Sequence, residues 1–115
     1  MRRIEAIVRP NALRAVLASL KDVGYPGVTV MTAEGHGAQK GVTPVYRSQS
    51  VEGLLPKLIV STVVENSEVD KVIDSIVKAA RKDEIGDGKI FVYDVVDVVR
   101  IRTGERGTQA IHPEE

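Results

Sequence analysis

The chain has 115 residues, which is room for one domain with its own hydrophobic core. Its 16 basic and 16 acidic side chains balance, so it lacks the cationic excess of a general nucleic-acid or membrane-surface binder. It has no cysteine, which excludes disulfides, thiolate catalysis and cysteine-ligated zinc, and it has no apolar run long enough to insert into a membrane. We therefore expect a cytoplasmic protein.

The first half of the sequence predicts a strand, a helix and a second strand. Residues 3–9 begin with alternating polar and apolar side chains, as strands do, and Pro10 ends them. Asn11 is expected to cap the following helix through its side-chain oxygen, and Gly24 to end it. One apolar stripe at helical spacing runs along this helix: Leu13, Val16, Leu17 and Leu20. Residues 28–35 are rich in β-branched side chains and predict the second strand.

A long loop follows the second strand. Residues 37–55 have no hydrophobic period and contain glycine, proline and mixed polar side chains. A loop of this length in so small a chain is usually functional or disordered. Gly35 and Gly37 lie at its start, and taken alone they indicate no more than a hinge.

The second half repeats the order of the first. Residues 57–64 predict a third strand, and Asn66 or Ser67 is expected to cap a second helix. The apolar stripe of that helix consists of Val69, Val72, Ile73, Ile76 and Val77. A glycine-rich break follows, and residues 90–101 predict a long, mostly apolar fourth strand.

This order of elements predicts the fold. Two β-α-β units joined by a long loop close most simply as a four-stranded antiparallel sheet with both helices on one face. We therefore expect an α+β, ferredoxin-like fold, with residues 1–115 forming a single domain and residues 107–115 a flexible tail. The predicted fourth strand is apolar on both faces, and the helices can cover only one. A second copy of the chain is expected to cover the other face, in a homo-oligomer.

Two segments have the composition of anion sites, although each also has a plainer interpretation. Gly86-Asp87-Gly88-Lys89 can turn backbone N–H groups and a cation toward a phosphate, or it can be a tight turn with a solvated lysine. Arg100 and Arg102 alternate on the predicted fourth strand and therefore point the same way. Their guanidinium groups can bind phosphate oxygens or pair with Glu105.

Catalysis and metal binding have no support in the sequence. The two histidines, His36 and His112, lie far apart and have no cysteine companions. No serine or carboxylate pair has a base at a recognisable spacing. We therefore do not expect an enzyme.

Three stretches of the chain together resemble the PII signal-transduction family, over residues 1–111. They are Arg2 to Pro10; Gly35 to Gly41 with Leu55-Pro56-Lys57 after it; and Ile85 to Val95, continued by Val99 to Glu105. The third closely matches the family's C-terminal signature. The resemblance implies a homotrimer of ferredoxin-like subunits with nucleotide sites between them, which bind ATP or ADP and, together with Mg-ATP, 2-oxoglutarate.

The resemblance also implies a regulator rather than an enzyme. Residues 37–55 match the family's T-loop, which changes shape with the ligand and then engages target proteins. Typical targets are ammonium transporters and the enzymes or regulators of nitrogen assimilation.

The phosphate contacts carry over to both candidate anion segments. Gly86, Gly88 and Lys89 match the family's loop that holds the nucleotide phosphates. Arg100 and Arg102 match the pair that reaches the phosphates from the adjoining subunit.

The remaining effector contacts carry over to five positions. Gly35 and Gly37 match the base of the T-loop, where the backbone meets the nucleotide, and Thr29 matches a strand residue near the adenine. Gln39 matches the residue that helps to hold Mg and the keto acid. Lys57 matches the lysine that pairs with a keto-acid carboxylate, since a dicarboxylate beside Mg-ATP needs a nearby cation.

The tip of the T-loop carries the expected target contacts, Tyr46 and Arg47. Arg47 matches the loop-tip arginine that can enter a transporter pore, and Tyr46 matches the tyrosine before it. Many family members of the proteobacterial type have a further loop tyrosine that is uridylylated. Residues 47–52 contain no tyrosine, so we expect no uridylylation.

Two departures from the family pattern leave an alternative open. Ala38 stands where the family often has an arginine, and Ser61 where a glutamate commonly faces the adenine amine. A specialised PII-like sensor of an adenine nucleotide and a different small anion, with a target outside nitrogen metabolism, is therefore the alternative function. A trimeric metal-tolerance protein and a small ferredoxin-like enzyme are weaker alternatives, because the chain lacks their ligands and catalytic pairs.

Overall fold

The structure, a computed structural model, describes residues 1–36 and 54–113. In chain order the elements are β1 (Arg2–Val8), a 3-10 turn (Pro10–Ala12), α1 (Leu13–Asp22), β2 (Thr29–Gly35), β3 (Leu55–Val64), a 3-10 turn (Asn66–Glu68), α2 (Val69–Ala80), β4 (Lys89–Asp94) and a last 3-10 helix (Gly107–Ile111). Most of the predicted T-loop, residues 37–53, lies outside the described residues.

The four strands form the predicted ferredoxin-like sheet. Their order is β2-β3-β1-β4, and each neighbouring pair is antiparallel. The two central strands, β1 and β3, come from different β-α-β units. In the register, Ile4 of β1 lies opposite Thr62 of β3 and Val92 of β4. The fold class predicted from the order of elements is confirmed.

One face of the sheet packs against the two helices. Alternate residues of β1 are buried here, because successive side chains of a strand point to opposite faces. The core consists of apolar side chains from both central strands and both helices, among them Ile4, Ala6, Val8, Val60, Val64, Val16, Leu20, Val72 and Ile76. The apolar stripes predicted from helical spacing supply the helix side of this core.

On the opposite face of the sheet, here called the open face, no helix of residues 1–36 and 54–113 packs. Glu5 of β1, Ser61 of β3 and Phe91 of β4 lie in one row across this face, because directly opposed residues of antiparallel strands share a face. Met31, Phe91 and Tyr93 are between 40% and 50% exposed. Large apolar side chains are therefore uncovered on this face of a single chain.

The fourth strand ends at Asp94, seven residues earlier than predicted. Asp94 pairs with Arg2, the first residue of β1, and the next N–H group, that of Val95, donates to the carbonyl oxygen of Met1 at 3.1 Å. No residue of β1 remains for a longer β4 to pair with. Val99 instead forms a bridge with Arg106 in a segment that folds back on itself. The predicted alternation of residues 96–102 across the sheet is therefore wrong.

The predicted helix caps do not form. A 3-10 turn precedes each α-helix, and the N–H group of its last residue, Ala12 or Glu68, donates to the backbone carbonyl oxygen of the residue before the turn, Arg9 or Glu65. The side chains of Asn11, Asn66 and Ser67 make no capping hydrogen bond. The helices begin at the expected places, but each begins with a 3-10 turn and not with a side-chain cap.

The segment from residue 107 to residue 113 is docked on the fold, which differs from the expected flexible tail. Ile111 packs against the core. The Nε2 atom of His112 lies 2.9 Å from Glu65 Oε2, at the start of the turn before α2. These contacts join residues far apart in the sequence, and a polar C-terminal composition gives no sign of them.

Candidate functional site

The glycine-rich segment between α2 and β4, residues 84–88, is here called the glycine loop. Gly86 and Gly88 have φ angles of 101° and 106°, which side chains rarely adopt. A Cβ atom on Gly88 would lie 1.8 Å from the carbonyl oxygen of Ile7, so the loop backbone presses directly on the end of β1. This close approach requires glycine at position 88.

Arg9, the residue after β1, binds the glycine loop. Its Nε donates to the carbonyl oxygen of Gly86 at 3.0 Å, and its Nη2 to that of Ile85 at 2.6 Å. Its Nη1 donates to the Glu84 carboxylate at 3.3 Å. Sequence reasoning assigned no role to Arg9, because these contacts span more than 70 residues and have no local pattern.

Asp87 holds the glycine loop from within. Its carboxylate accepts hydrogen bonds from the backbone N–H groups of Lys82, at 2.9 Å, and Glu84, at 3.3 Å. The hydrogen bond from Lys82 has the largest effect and lowers the pKa of Asp87 below its usual value. The bond from Glu84 and the positive charge of Arg9 lower it further. Asp87 is therefore ionised, and its charge fixes the turn.

Lys57 lies on β3 beside the same loop and is buried, with 8% of its surface exposed. Its Nζ donates to the carbonyl oxygen of Gly86 at 3.2 Å. Burial lowers the pKa of Lys57, and the nearby positive charge of Arg9 lowers it further, while Asp87 opposes both. Among the described residues one carbonyl oxygen holds this buried ammonium group, which is well placed to exchange that oxygen for a carboxylate.

Five of the predicted site residues meet in this region, which we call the loop cluster: Gly35, Lys57, Gly86, Gly88 and Lys89. Gly35 ends β2 beside Lys57, where an added Cβ would lie 3.0 Å from the Lys57 Cγ. Lys89 begins β4 opposite Ile7, on the open face. The structure thus places backbone glycines and two lysines together at one end of the sheet.

A second group of predicted residues lies at the other end of the sheet. Thr29 of β2 is directly opposite Ser61 of β3, on the open face. Both line a groove of about 890 Å³, together with Arg3, Arg100 and His112. We call this the groove cluster. The two hydroxyl groups provide donors and acceptors without a charge.

Arg100 binds the C-terminal segment beside this groove. Its Nη1 donates to Glu105 Oε1 at 2.7 Å, and its Nη2 donates to the carbonyl oxygens of Gln109 at 2.9 Å and His112 at 2.6 Å. The pairing with Glu105 that the sequence left open is therefore present. Arg102 is exposed, and its predicted alignment with Arg100 on a strand does not hold because β4 ends before both.

The loop and groove clusters are far apart within one chain. Thr29 and Gly35 begin and end β2, six residues apart. At about 3.3 Å per residue this is a separation of roughly 20 Å. One chain therefore does not bring all the predicted effector contacts together.

Four predicted site residues, Gly37, Gln39, Tyr46 and Arg47, lie outside the described residues. Within residues 1–36 and 54–113, no three histidine or acidic side chains group as metal ligands do. In the same residues no helix has both the length and the apolar character needed to cross a bilayer.

These features define a ferredoxin-like α+β protein with a glycine loop and a buried lysine at one end of its sheet. The sequence profile of the family "Nitrogen regulatory protein P-II" matches residues 1–105. The chain belongs to this family.

Named relatives agree with this assignment. Over 112 residues, 96% of this chain and all of each relative, the chain is 46% identical to "Nitrogen regulatory protein P-II" of Rhodospirillum rubrum and 50% identical to that of Microchaete diplosiphon. A solved structure, "Crystal Structure of Arabidopsis thaliana PII bound to citrate", is similar with a TM-score of 0.81 and 38% identity, covering 99% of this chain and 92% of that one. The family's members are regulatory proteins, not enzymes.

Proposed function

We propose that this protein is a cytoplasmic signal-transduction regulator that senses ATP and ADP, with 2-oxoglutarate as a second effector. Its targets are proteins of nitrogen metabolism such as ammonium transporters. The observation that carries the proposal is the loop cluster, where a glycine loop and a buried lysine lie at the point from which residues 37–53 leave the sheet. Family membership supports the regulatory class, and the finer assignments rest on the arguments below.

The glycine loop suits the phosphates of a nucleotide. Positive φ angles at Gly86 and Gly88 let the glycine loop turn a backbone N–H group toward an anion, and Lys89 adds a positive charge. Mg²⁺ would enter with the nucleotide, held by its phosphate oxygens and by Gln39. The positive charges of Lys57 and Lys89 beside the loop attract an anionic ligand, whereas they would repel a metal ion without its nucleotide.

The separation of the two clusters supports a site shared between copies of the chain. The loop cluster supplies phosphate contacts, and the groove cluster supplies Thr29 and Ser61 for the base. Arg102, in the exposed segment after β4, is the residue that would contact the phosphates from the adjoining subunit. A homotrimer that packs the open faces together covers Met31 and Phe91 and brings the loop cluster of one subunit to the groove cluster of the next.

Lys57 supports a dicarboxylate as the second effector. Its buried ammonium group can bind a carboxylate beside the nucleotide phosphates, and without such a cation the anions would repel each other.

The strand register supports a link between the ligand site and the target. Gly35 pairs with Leu55, so the T-loop leaves and rejoins the sheet next to Lys57. Ligands that bind the different T-loop states with different affinity would shift the equilibrium between those states. This would change the affinity of the T-loop for target proteins that contact Tyr46 and Arg47.

A second candidate function keeps the nucleotide and changes the other anion. The similar Arabidopsis structure is described as bound to citrate, a larger carboxylate than 2-oxoglutarate. This chain also departs from the family pattern at two positions, Ala38 and Ser61. A specialised sensor with a target outside nitrogen metabolism fits these observations. Competition between 2-oxoglutarate and citrate for the Mg-ATP-loaded protein distinguishes the two functions.

Complementation between defective subunits tests the shared site. Lys89→Ala removes a loop contact and Arg102→Ala a contact from the adjoining subunit, so each homotrimer is expected to bind ATP weakly. In mixed trimers some interfaces carry both native residues, and those interfaces should bind ATP with wild-type affinity. If mixed and unmixed variants bind equally weakly, the site is not shared between subunits.

A further inference from the structure

We propose that Arg9 is the positioning residue of the glycine loop, which sets the direction of the loop's N–H groups toward the ligand without contacting that ligand. This inference rests on the nucleotide-binding function proposed above. It assigns a role to a side chain for which the sequence pattern predicted none.

Arg9 contacts four consecutive residues of the loop. Besides the bonds to Glu84, Ile85 and Gly86, its Nε lies 3.8 Å from the carboxylate of Asp87. The guanidinium group thus spans the whole turn from one side. Because its nitrogen atoms are fixed in a plane, several loop atoms are held in a fixed relation to one another.

These contacts determine where the loop's N–H groups point. In a planar trans peptide the carbonyl group and the next N–H group point in opposite directions. Arg9 holds the carbonyl oxygens of Ile85 and Gly86 on its own side, so the following N–H groups of Gly86 and Asp87 face away from it. The Asp87 N–H donates to the Glu84 carbonyl oxygen at 3.3 Å. Among the described residues the Gly86 N–H has no acceptor, and it is the group that Arg9 presents to an anion.

The charge of Arg9 is engaged by the loop itself. Glu84 and Asp87 both lie within ion-pair distance of its guanidinium group. Its side chain is 24% exposed. The attraction that remains for a phosphate is therefore small, and the role of Arg9 is geometric. Lysine at this position has one nitrogen and cannot reach the same set of oxygens together.

The backbone fixes the position from which Arg9 acts. Arg9 is extended, with φ −65° and ψ 146°, and the ring of Pro10 follows it. Its own carbonyl oxygen accepts from the Ala12 N–H at 3.0 Å, in the turn that begins α1. The loop is therefore tethered to the rigid junction between β1 and α1.

The test compares Arg9→Ala and Arg9→Lys with Arg14→Ala, which removes an exposed arginine of α1. Two readouts are needed on the full chain: amide hydrogen exchange of residues 82–89 without ligand, and affinity for ATP and ADP by calorimetry. We expect both Arg9 variants to lose loop protection and about tenfold or more of nucleotide affinity, with partial recovery in Arg9→Lys. The melting temperature and the exchange of β1 should match those of Arg14→Ala.

The outcomes separate the inference from the proposed function. Wild-type nucleotide affinity in Arg9→Ala, with or without loss of loop protection, would overturn the role of Arg9 alone. General loss of protection throughout the sheet in both Arg9 variants would also overturn it, because Arg9 would then be a folding residue. Failure of the wild-type protein to bind any nucleotide would overturn the proposed function and, with it, the inference.

Discussion

Arg9 and Lys57 donate hydrogen bonds to the same acceptor, the carbonyl oxygen of Gly86, at 3.0 and 3.2 Å. One oxygen atom thereby joins the end of β1, the start of β3 and the glycine loop. The two cations repel each other, and this lowers the pKa of Lys57 in addition to the larger effect of its burial. Within residues 1–36 and 54–113, Arg9 has three further loop contacts and Lys57 has this one hydrogen bond, so Lys57 is the cation that a ligand can recruit.

Replacement of Lys57 by alanine should separate the two effectors. We expect Lys57→Ala to lose at least about 100-fold in affinity for 2-oxoglutarate, because a buried charged partner is removed. ADP affinity should change by less than about tenfold, since Arg9 still holds Gly86. Calorimetric titration measures both, with the exposed Lys21→Ala as control. Unchanged keto-acid binding in Lys57→Ala would mean that the carboxylate site lies elsewhere.

Gly88 and Gly24 form a matched pair of substitutions. Both have positive φ, 106° and 97°, but an added Cβ meets the Ile7 carbonyl oxygen only at position 88. We expect Gly24→Ala to lower the free energy of unfolding by about 1 kcal/mol, from backbone strain alone. Gly88→Ala should cost about 3 kcal/mol or more, because the loop must move away from β1. Urea denaturation compares them, and equal losses would contradict the close approach of loop and strand.

Tyr25 should give the protein a stability that falls at high pH. Burial, and then its hydrogen bond to Glu68, raise the pKa of Tyr25 from 10.0 to about 12. Between these values the unfolded chain has lost the phenolic proton and the folded chain has kept it, so stability decreases as pH rises. The loss attributable to Tyr25 is roughly 2 kcal/mol between pH 9 and 12.

Two tyrosine variants check this pH dependence. Tyr25→Phe should show a shallower loss of the free energy of unfolding above pH 10 than the wild type. Tyr93→Phe, which changes a 40% exposed tyrosine, should follow the wild-type curve. The prediction is wrong if Tyr25→Phe loses stability with the same slope as the wild type.

The contact between His112 and Glu65 should hold the C-terminal segment in place. Because both side chains are more than a third exposed, we expect His112→Ala to cost about 1 kcal/mol or less. The effect should be local and appear as faster hydrogen exchange in residues 108–113. His36→Ala is the control, since it changes the other histidine at the end of β2. Identical exchange in both variants would show that the contact between His112 and Glu65 does not hold the segment.

Local patterns were enough to predict the fold. Helical spacing gave the stripe from Leu13 to Leu20, and alternation and β-branching gave the strands, because these features follow directly from backbone geometry. The predicted end of β4 was wrong for a reason outside its own sequence: apolar residues continue past Asp94, but Asp94 already pairs with Arg2, the first residue of β1. The start of one strand determined the length of another.

Residues of the candidate site could be predicted only where they are glycines in a tight turn or match a family signature. Gly86 and Gly88 have the positive φ that their sequence indicated. The role of Arg9 was missed because an arginine after a strand is unremarkable until the chain returns 77 residues later. Arg100 was predicted for phosphate, and its bonds to the carbonyl oxygens of Gln109 and His112 depend on a docked segment that composition did not suggest.

The most direct test of the central claim is calorimetric titration of the purified protein with Mg-ATP and with Mg-ADP, each with and without 2-oxoglutarate. The account predicts that both nucleotides bind and that 2-oxoglutarate binds only to the Mg-ATP-loaded protein. Absence of binding by either nucleotide would contradict it.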